Sequence, residues 1–278
     1  MLDRQPTVQD DELIARASAG DRDAYGSIIV RHAGAVLRLA RAMAADDATA
    51  EDVAQEAFLK GFRAAATYRP GVASVRTWLF AIARNEARRA RRVREEPSAD
   101  VDEPPLMALG LDAGWGHELA EDALGRAEET ERLANAIASL DTGDREVLVL
   151  RDLESLPGEA VAEVLGLGLP AMKSRLHRAR LRLLAALRAS EGGIVENERE
   201  VGGVRCSAVL ARLGDYVDGD TSTSETTQID AHLRGCSVCE RFGGRYARVV
   251  HGARERLGVA PEADEAQVER IRALLGVH

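Results

Sequence analysis

Two stretches of this chain are made almost wholly of arginine with small and apolar residues. RNEARRARRVR, residues 84–94, holds six arginines against one glutamate, and AMKSRLHRARLRLLAALR, residues 171–188, holds no acid at all. Both carry apolar residues at helical spacing. In the second, Met172, Leu176, Ala179 and Leu183 form one narrow stripe. Ser174, His177 and Arg178 are expected to face away from it, with Lys173 and Arg175 on its flanks. Between the two stretches, residues 95–125 carry many carboxylates and no Lys or Arg. Two basic helices on either side of an acidic tether containing Pro and Gly fit two nucleic-acid-contacting modules on a flexible joint. The plainer reading is that the arginine-rich faces are only solvated. The net charge of −9 hides this segregation.

With 278 residues the chain is long for one core, and two or three compact units are expected. Hydrophobic content of 45% and charge content of 30% are those of a globular protein. Aromatics are only 4%, so the cores must come from Leu, Val, Ile and Ala, and with few β-branched runs this favours an all-α fold. No apolar run approaches the roughly 20 residues that cross a bilayer. No basic-then-apolar leader suggests secretion, so a cytoplasmic protein without membrane contact is expected. Three cysteines do not make a disulfide scaffold, and metal binding or redox chemistry is their expected use. The six histidines are scattered and no serine or cysteine has an evident base beside it, which argues against an enzyme.

Residues 10–94 are expected to form one helical unit, with Gly20 a break and TYRPGVAS, residues 67–74, a loop. Val53, Ala57 and Lys60 share a helix face with Asp52, Gln55 and Glu56 around the rest, and Trp78, Ile82 and Ala83 anchor the helix that follows the loop. Residues 95–120 form an acidic linker on which no structure is imposed. Helices resume over 121–189. There GEAVAEVL, the turn Gly166-Leu167-Gly168 and a helix entered at Pro170 have the layout of a helix-turn-helix, against the plainer reading of a helical bundle. A second linker, 190–203, leads to a compact tail, 204–278, in which Gly235 is expected to end a short helix in the left-handed conformation. In AHLRGCSVCE, His232, Cys236 and Cys239 are spaced as metal ligands.

The first two modules resemble the extracytoplasmic-function sigma factors of the sigma-70 family. The resemblance is carried by AEDVAQEAFLKGFRA, RTWLFAIARNEARRARR and KSRLHRARLRL, in that order around the acidic linker. It implies a region 2 module over 10–94 and a region 4 helix-turn-helix over 121–189, with core RNA polymerase and promoter DNA as partners. Asp52, Gln55 and Glu56 match the segment that docks on polymerase. Tyr68, Arg69, Arg76, Trp78, Arg84, Asn85, Arg88 and Arg89 fall in the segment that engages the minus-ten element, where a base is unstacked and arginines hold the phosphates. Lys173, Ser174, Arg175, His177 and Arg178 match positions that read the minus-thirty-five duplex in the major groove. Two departures bear on helix entry: Pro170-Ala171-Met172 stands where the family has Gly-Thr-Val, and Pro157-Gly158 where a polar starter is common.

The tail resembles the zinc-binding anti-sigma domain, a small helical module. The resemblance implies Zn2+ held by Cys206, His232, Cys236 and Cys239. Zinc there either holds a small tail together or senses oxidation through its thiolates. A thiol oxidoreductase built on Cys236 and Cys239 ranks behind both, since its βαβ context is absent. As a tethered regulator the tail is expected to contact the sigma modules and inhibit them, the opposite sign being open. The competing class is an ordinary helix-turn-helix regulator with a zinc-stabilised oligomerisation tail.

Overall fold

The computed structural model describes residues 6–92, 103–115, 126–187, 198–259 and 263–276. Its helices run in chain order as α1 (Pro6–Ser18), α2 (Arg22–Met43), α3 (Asp47–Arg63), α4 (Val75–Arg92) and α5 (Leu106–Asp112). Then come α6 (Arg126–Ser139), α7 (Thr142–Leu148) with a π-helical turn at Val149–Leu153, α8 (Gly158–Leu165) and α9 (Leu169–Ala186). Strands β1 (Glu200–Val201) and β2 (Val204–Arg205) pair antiparallel before α10 (Cys206–Asp218), α11 (Thr223–Gly235), α12 (Ser237–Leu257) and α13 (Glu265–Leu274). The chain divides into two compact units. One gathers residues 1–99, 156–168 and 260–278, the other 100–155 and 169–259.

In the first unit α1 to α4 pack on one another. Gly20, at φ 97°, turns the chain between α1 and α2 where a side chain would be strained. Asp21 and Asp46 then cap α2 and α3 by accepting the N–H groups of Ala24 and Thr49. Ile14, Tyr25, Ile28, Phe58, Leu79 and Phe80 are buried, and the Tyr25 hydroxyl donates to the Phe58 carbonyl at 2.8 Å. Gly61 permits that approach, since a Cβ there would stand 2.4 Å from the Tyr25 oxygen. The buried stripe of α4 is Val75, Leu79, Phe80 and Ala83. Trp78 and Ile82, expected as anchors, are only half-buried. The remaining helices of this unit are α8, which packs on α4, and α13, which packs on α2 and α3.

In the second unit α9 packs with α5, α6, α7, α10 and α12. The described part of the expected linker is therefore no bare tether. Leu109, Ala113 and Trp115 join Leu181, Leu184, Cys206, Leu210, Leu213, Phe242, Tyr246 and Val250 in one apolar cluster. Burial against partners far along the chain outweighs the acidic flanks that marked this stretch as unstructured. Residues 95–102 and 116–120 of that linker lie outside the described residues, as do 190–197 of the second. Gly235 ends α11 without adopting a positive φ. Its missing side chain serves packing instead, since a Cβ there would meet Val201 Cγ1 at 2.5 Å.

Candidate metal centre and nucleic-acid interface

Three short pieces of chain bring the sulfur and nitrogen donors of the tail together. The β1–β2 hairpin delivers Cys206 as the first residue of α10, His232 lies in the last turn of α11, and Cys236 caps α12 with Cys239 one turn in. All four are buried, and their donor atoms lie within 4.8 Å of one another. Cys206 Sγ stands 3.7 Å from Cys236 Sγ and 3.5 Å from His232 Nε2. A tetrahedral ion with metal–sulfur bonds of about 2.3 Å and metal–nitrogen bonds of about 2.0 Å sets such edges at roughly 3.8 and 3.5 Å. His232 Nδ1 lies 2.9 Å from the Val204 carbonyl, a bond in which the ring nitrogen donates. That bond leaves Nε2 as the lone-pair nitrogen facing the sulfurs.

The protons follow the same logic. Burial opposes ionisation of Cys236, yet the backbone N–H groups of Cys239 and Val238 and the Cys206 side chain hold its thiol below the ordinary range. Burial pushes the Cys239 thiol well up, against the Trp115 indole, which pulls it down. The indole Nε1–H of Trp115 is itself buried without a hydrogen-bond partner. An orphaned donor beside a sulfur fits a thiolate held ionised by a metal. The donor set, its edges and its supporting bonds all fit a bound ion.

Helix α9 runs through the same unit, and most of its cations are taken up. Lys173 Nζ pairs with Asp220 at 2.8 Å and Asp215 at 3.3 Å, both contributed by the tail. Arg178 donates to the Pro104 carbonyl at 2.7 Å and lies 3.6 Å from Glu103. His177, expected to face outward, is buried, with Nδ1 3.0 Å from the Tyr246 hydroxyl of α12. Burial depresses its pKa to about 4, so the ring is neutral. Gly214 lets α10 approach this ring, because a Cβ there would stand 3.1 Å from Nδ1. Ser174 and Arg175 are exposed.

Sequence reasoning missed the charge network beneath α9. Arg180, 0% exposed, forks onto Asp152 at 2.7 and 3.0 Å and onto Asp218 at 2.9 and 3.1 Å. Arg254 of α12 meets the same two carboxylates at 2.8 and 2.5 Å. Two buried carboxylates against the guanidinium groups of Arg180 and Arg254, with Arg151 3.8 Å from Asp218, tie the π-helical turn, α9, α10 and α12 together. The partners stand 28 and 38 residues from Arg180, so no local spacing announces them.

The first unit holds the other expected residues. Arg88, Arg89, Asn85 and Arg69 are exposed along and beside α4. Tyr68 and Trp78 meet edge to face with ring centroids 5.6 Å apart, and the Tyr68 hydroxyl bonds Asp11 and the Ala73 carbonyl. Arg76 lies over the Phe80 ring at 5.5 Å. Arg84, placed by the resemblance on the phosphate-gripping side, is buried and donates to the Val164 carbonyl at 3.1 Å. On α3, Asp52 is exposed and Gln55 and Glu56 are half-buried. Beside them, Gln267 and Arg270 of α13 donate to Glu51 at 2.8 and 2.9 Å, and Gln55 helps line the seam.

Comparison with known proteins gives three family matches: "Sigma-70 region 2" at residues 28–96, "Sigma-70, region 4" at 130–183 and "Putative zinc-finger" at 206–239. The RNA polymerase sigma factor CnrH of Cupriavidus metallidurans is 32% identical over 186 residues, which is 66% of this chain and 97% of that protein. The ECF RNA polymerase sigma-E factor of Escherichia coli is 32% identical over 177 residues, 62% of this chain and 90% of that one. Among solved structures, CnrH in complex with the cytosolic domain of CnrY aligns with a TM-score of 0.46 at 30% identity, covering 64% of this chain and 97% of that one. No described helix is long and apolar enough to cross a membrane.

Proposed function

Because the chain belongs to the extracytoplasmic-function sigma factors of the sigma-70 family, we propose that it carries core RNA polymerase to promoters and that its own carboxy-terminal segment restrains it. Its activity is that of a sigma factor, a transcription initiation factor and not an enzyme. This sets aside the alternative of a helix-turn-helix regulator with an oligomerisation tail.

On this reading Asp52, Gln55 and Glu56 dock on polymerase in the cytoplasm. Arg69, Asn85, Arg88 and Arg89 hold the opened strand's phosphates, while Tyr68 and Trp78 offer ring faces to unstacked bases. Ser174 and Arg175, with Lys173, His177 and Arg178 once freed, read the duplex in the major groove. Arg84 serves its own unit through Val164.

One observation carries the restraint: three of the five expected reading residues on α9 are engaged elsewhere. Asp215 and Asp220 hold Lys173, Tyr246 covers His177, and Glu103 with Pro104 holds Arg178. Tethering gives the tail an effective concentration around millimolar, so contacts this modest suffice. A second hold lies on the polymerase side, where α13 grips Glu51 next to Asp52. Zinc in the four-donor site would supply a closed, redox-inert cross-link for the tail, with Cys206, His232, Cys236 and Cys239 as its holders.

The test compares promoter-specific transcription by the full chain, by a version ending at Ala189, and by the full chain with Asp218→Ala and Arg254→Ala. The paired substitutions loosen the tail and leave Arg180 its Asp152 partner. Transcription should rise in both altered forms. A fall, or no change, sinks the restraint while leaving the sigma assignment intact.

A further inference from the structure

The tether between the two basic stretches carries Trp115, whose burial has a cost that packing alone does not explain. The residue is 7% exposed and its indole Nε1–H meets no acceptor. It is buried in the same apolar cluster as Cys239, whose thiol the indole pulls down. A buried donor left unpaired is destabilising, and a phenylalanine would fill much of the same space without that cost. The penalty vanishes if the Cys239 sulfur is a metal-bound thiolate, which accepts a hydrogen bond strongly. Neither motif in which the chain resembles known modules includes this residue, and it lies outside the stretches matched at 28–96, 130–183 and 206–239.

We propose that Trp115 is the outer-sphere hydrogen-bond donor to the Cys239 thiolate of the metal centre and that it fastens the tether to the tail. The neighbouring geometry gives this bond a reach beyond the metal. Trp115 follows α5, which is seated so closely on α10 that a Cβ on Gly110 would stand 2.6 Å from Leu210 Cδ2. At the other end of α5, Glu103 and Pro104 hold Arg178, and Glu103 also lies 3.5 Å from Arg182. Arg182 keeps its closer partner Asp144 at 2.7 Å, so occupancy of the metal site is thereby linked to the hold on Arg178 of the recognition helix. Losing the metal turns the acceptor of Trp115 into a thiol, a weak acceptor, which loosens α5 and its hold on Arg178. That regulatory consequence rests on the proposed restraint; the hydrogen bond itself does not.

The test reads the bond directly, in the full chain. In protein loaded with cadmium-113, the Trp115 indole proton should show through-bond coupling to the metal, while the Trp78 indole proton in the same spectrum should not. Trp115→Phe should lower zinc affinity ten- to a hundredfold in competition with a chromophoric chelator, at unchanged helix content. Absence of the cadmium coupling overturns the proposal, and so does an unchanged zinc affinity in a folded Trp115→Phe. If that variant does not fold, the coupling in the native chain decides alone. Neither readout depends on transcription, so a failed restraint and a failed hydrogen bond remain distinguishable.

Discussion

α4 and α9 are both 18-residue helices rich in arginine, one with Arg88 and Arg89 exposed to solvent and the other with most of its cations occupied. On α4, Arg89 has a side chain 70% exposed and reaches a carboxylate, Glu86, only at 4.0 Å; Glu86 is already committed to Lys60 at 2.6 Å. On α9, Lys173, Arg178, Arg180 and Arg182 all have carboxylate partners, and their side chains are 29% exposed or less. The acids that occupy α9 come from the tether (Glu103), from α7 and its π-helical turn (Asp144, Asp152) and from the tail (Asp215, Asp218, Asp220), none of them within α9 itself. Counting charge along a helix therefore says how strongly it could bind phosphate, and only the rest of the fold says whether the charge is available.

The most drastic way to sharpen the contrast is to strip the metal proposed for the four-donor site. Cys206, Cys236 and Cys239 sit in the same apolar cluster as Leu181 and Leu184 of α9. Structural zinc contributes on the order of 10 kcal/mol to small domains of this kind. A chelator should strip amide-exchange protection from α10, α11 and α12 while α2, α3 and α4 keep theirs. Equal loss in both sets, or none in either, would break the comparison.

Next in size is the buried charge network. Asp218 has a side chain 6% exposed and compensates Arg180 and Arg254. Asp218→Ala should destabilise the second unit by about 3–5 kcal/mol, because buried guanidinium charge is left short of partners. Arg89→Ala, at an exposed site, should stay within about 0.5 kcal/mol. Urea denaturation of the full chain measures both.

Much of this arrangement was legible in the sequence, and the parts that were not share a cause. The stripe Met172, Leu176, Ala179 and Leu183 is buried as its spacing predicts, and His232, Cys236 and Cys239 converge as their spacing allows, joined by Cys206, which the resemblance implied. What escaped depends on partners far apart along the chain. Arg180 reads as one more basic residue until Asp152 and Asp218 are brought to it. His177 reads as outward-facing because helical periodicity marks one apolar stripe and cannot announce a second burying surface, here α10 and α12. α5 is too short to show a period, and β1 and β2 are two residues each. Such elements owe their form to what covers them.

His177 turns the contrast into a pH dependence. Its folded pKa of about 4 lies below the ordinary 6.5, so the unfolded state takes up protons first as pH falls. The stability is present in full above pH ~6.5 and is lost progressively down to pH ~4, about 2 kcal/mol of it by pH 5. Asp144, pushed up to about 6 by burial, changes stability with the opposite sign in part of that window. The informative quantity is therefore the difference between the native chain and His177→Gln in urea denaturation at pH 7 and pH 5. The native chain should lose about 2 kcal/mol more than the variant. Equal losses would mean the ring is not held neutral beneath Tyr246.

The finest distinction concerns salt. Each arginine that contacts a phosphate releases a counterion, so deleting one should reduce the logarithmic salt slope of promoter binding by about 0.7 on a single strand and about 0.9 on a duplex. Arg88→Ala should show that reduction in the full chain bound to core polymerase, which amounts to a two- to threefold change in affinity over a fourfold change in salt. Arg178→Ala should show none, because Pro104 and Glu103 already hold its guanidinium. The missing slope should reappear when Arg178→Ala is combined with Asp218→Ala and Arg254→Ala, since loosening the tail returns α9 to the DNA. An intact chain in which Arg178→Ala and Arg88→Ala lower the slope equally would show that α9 reaches phosphate despite its partners. The ion pairs on α9 would then be local neutralisation and not a hold, and the difference between the two helices would carry no regulatory meaning.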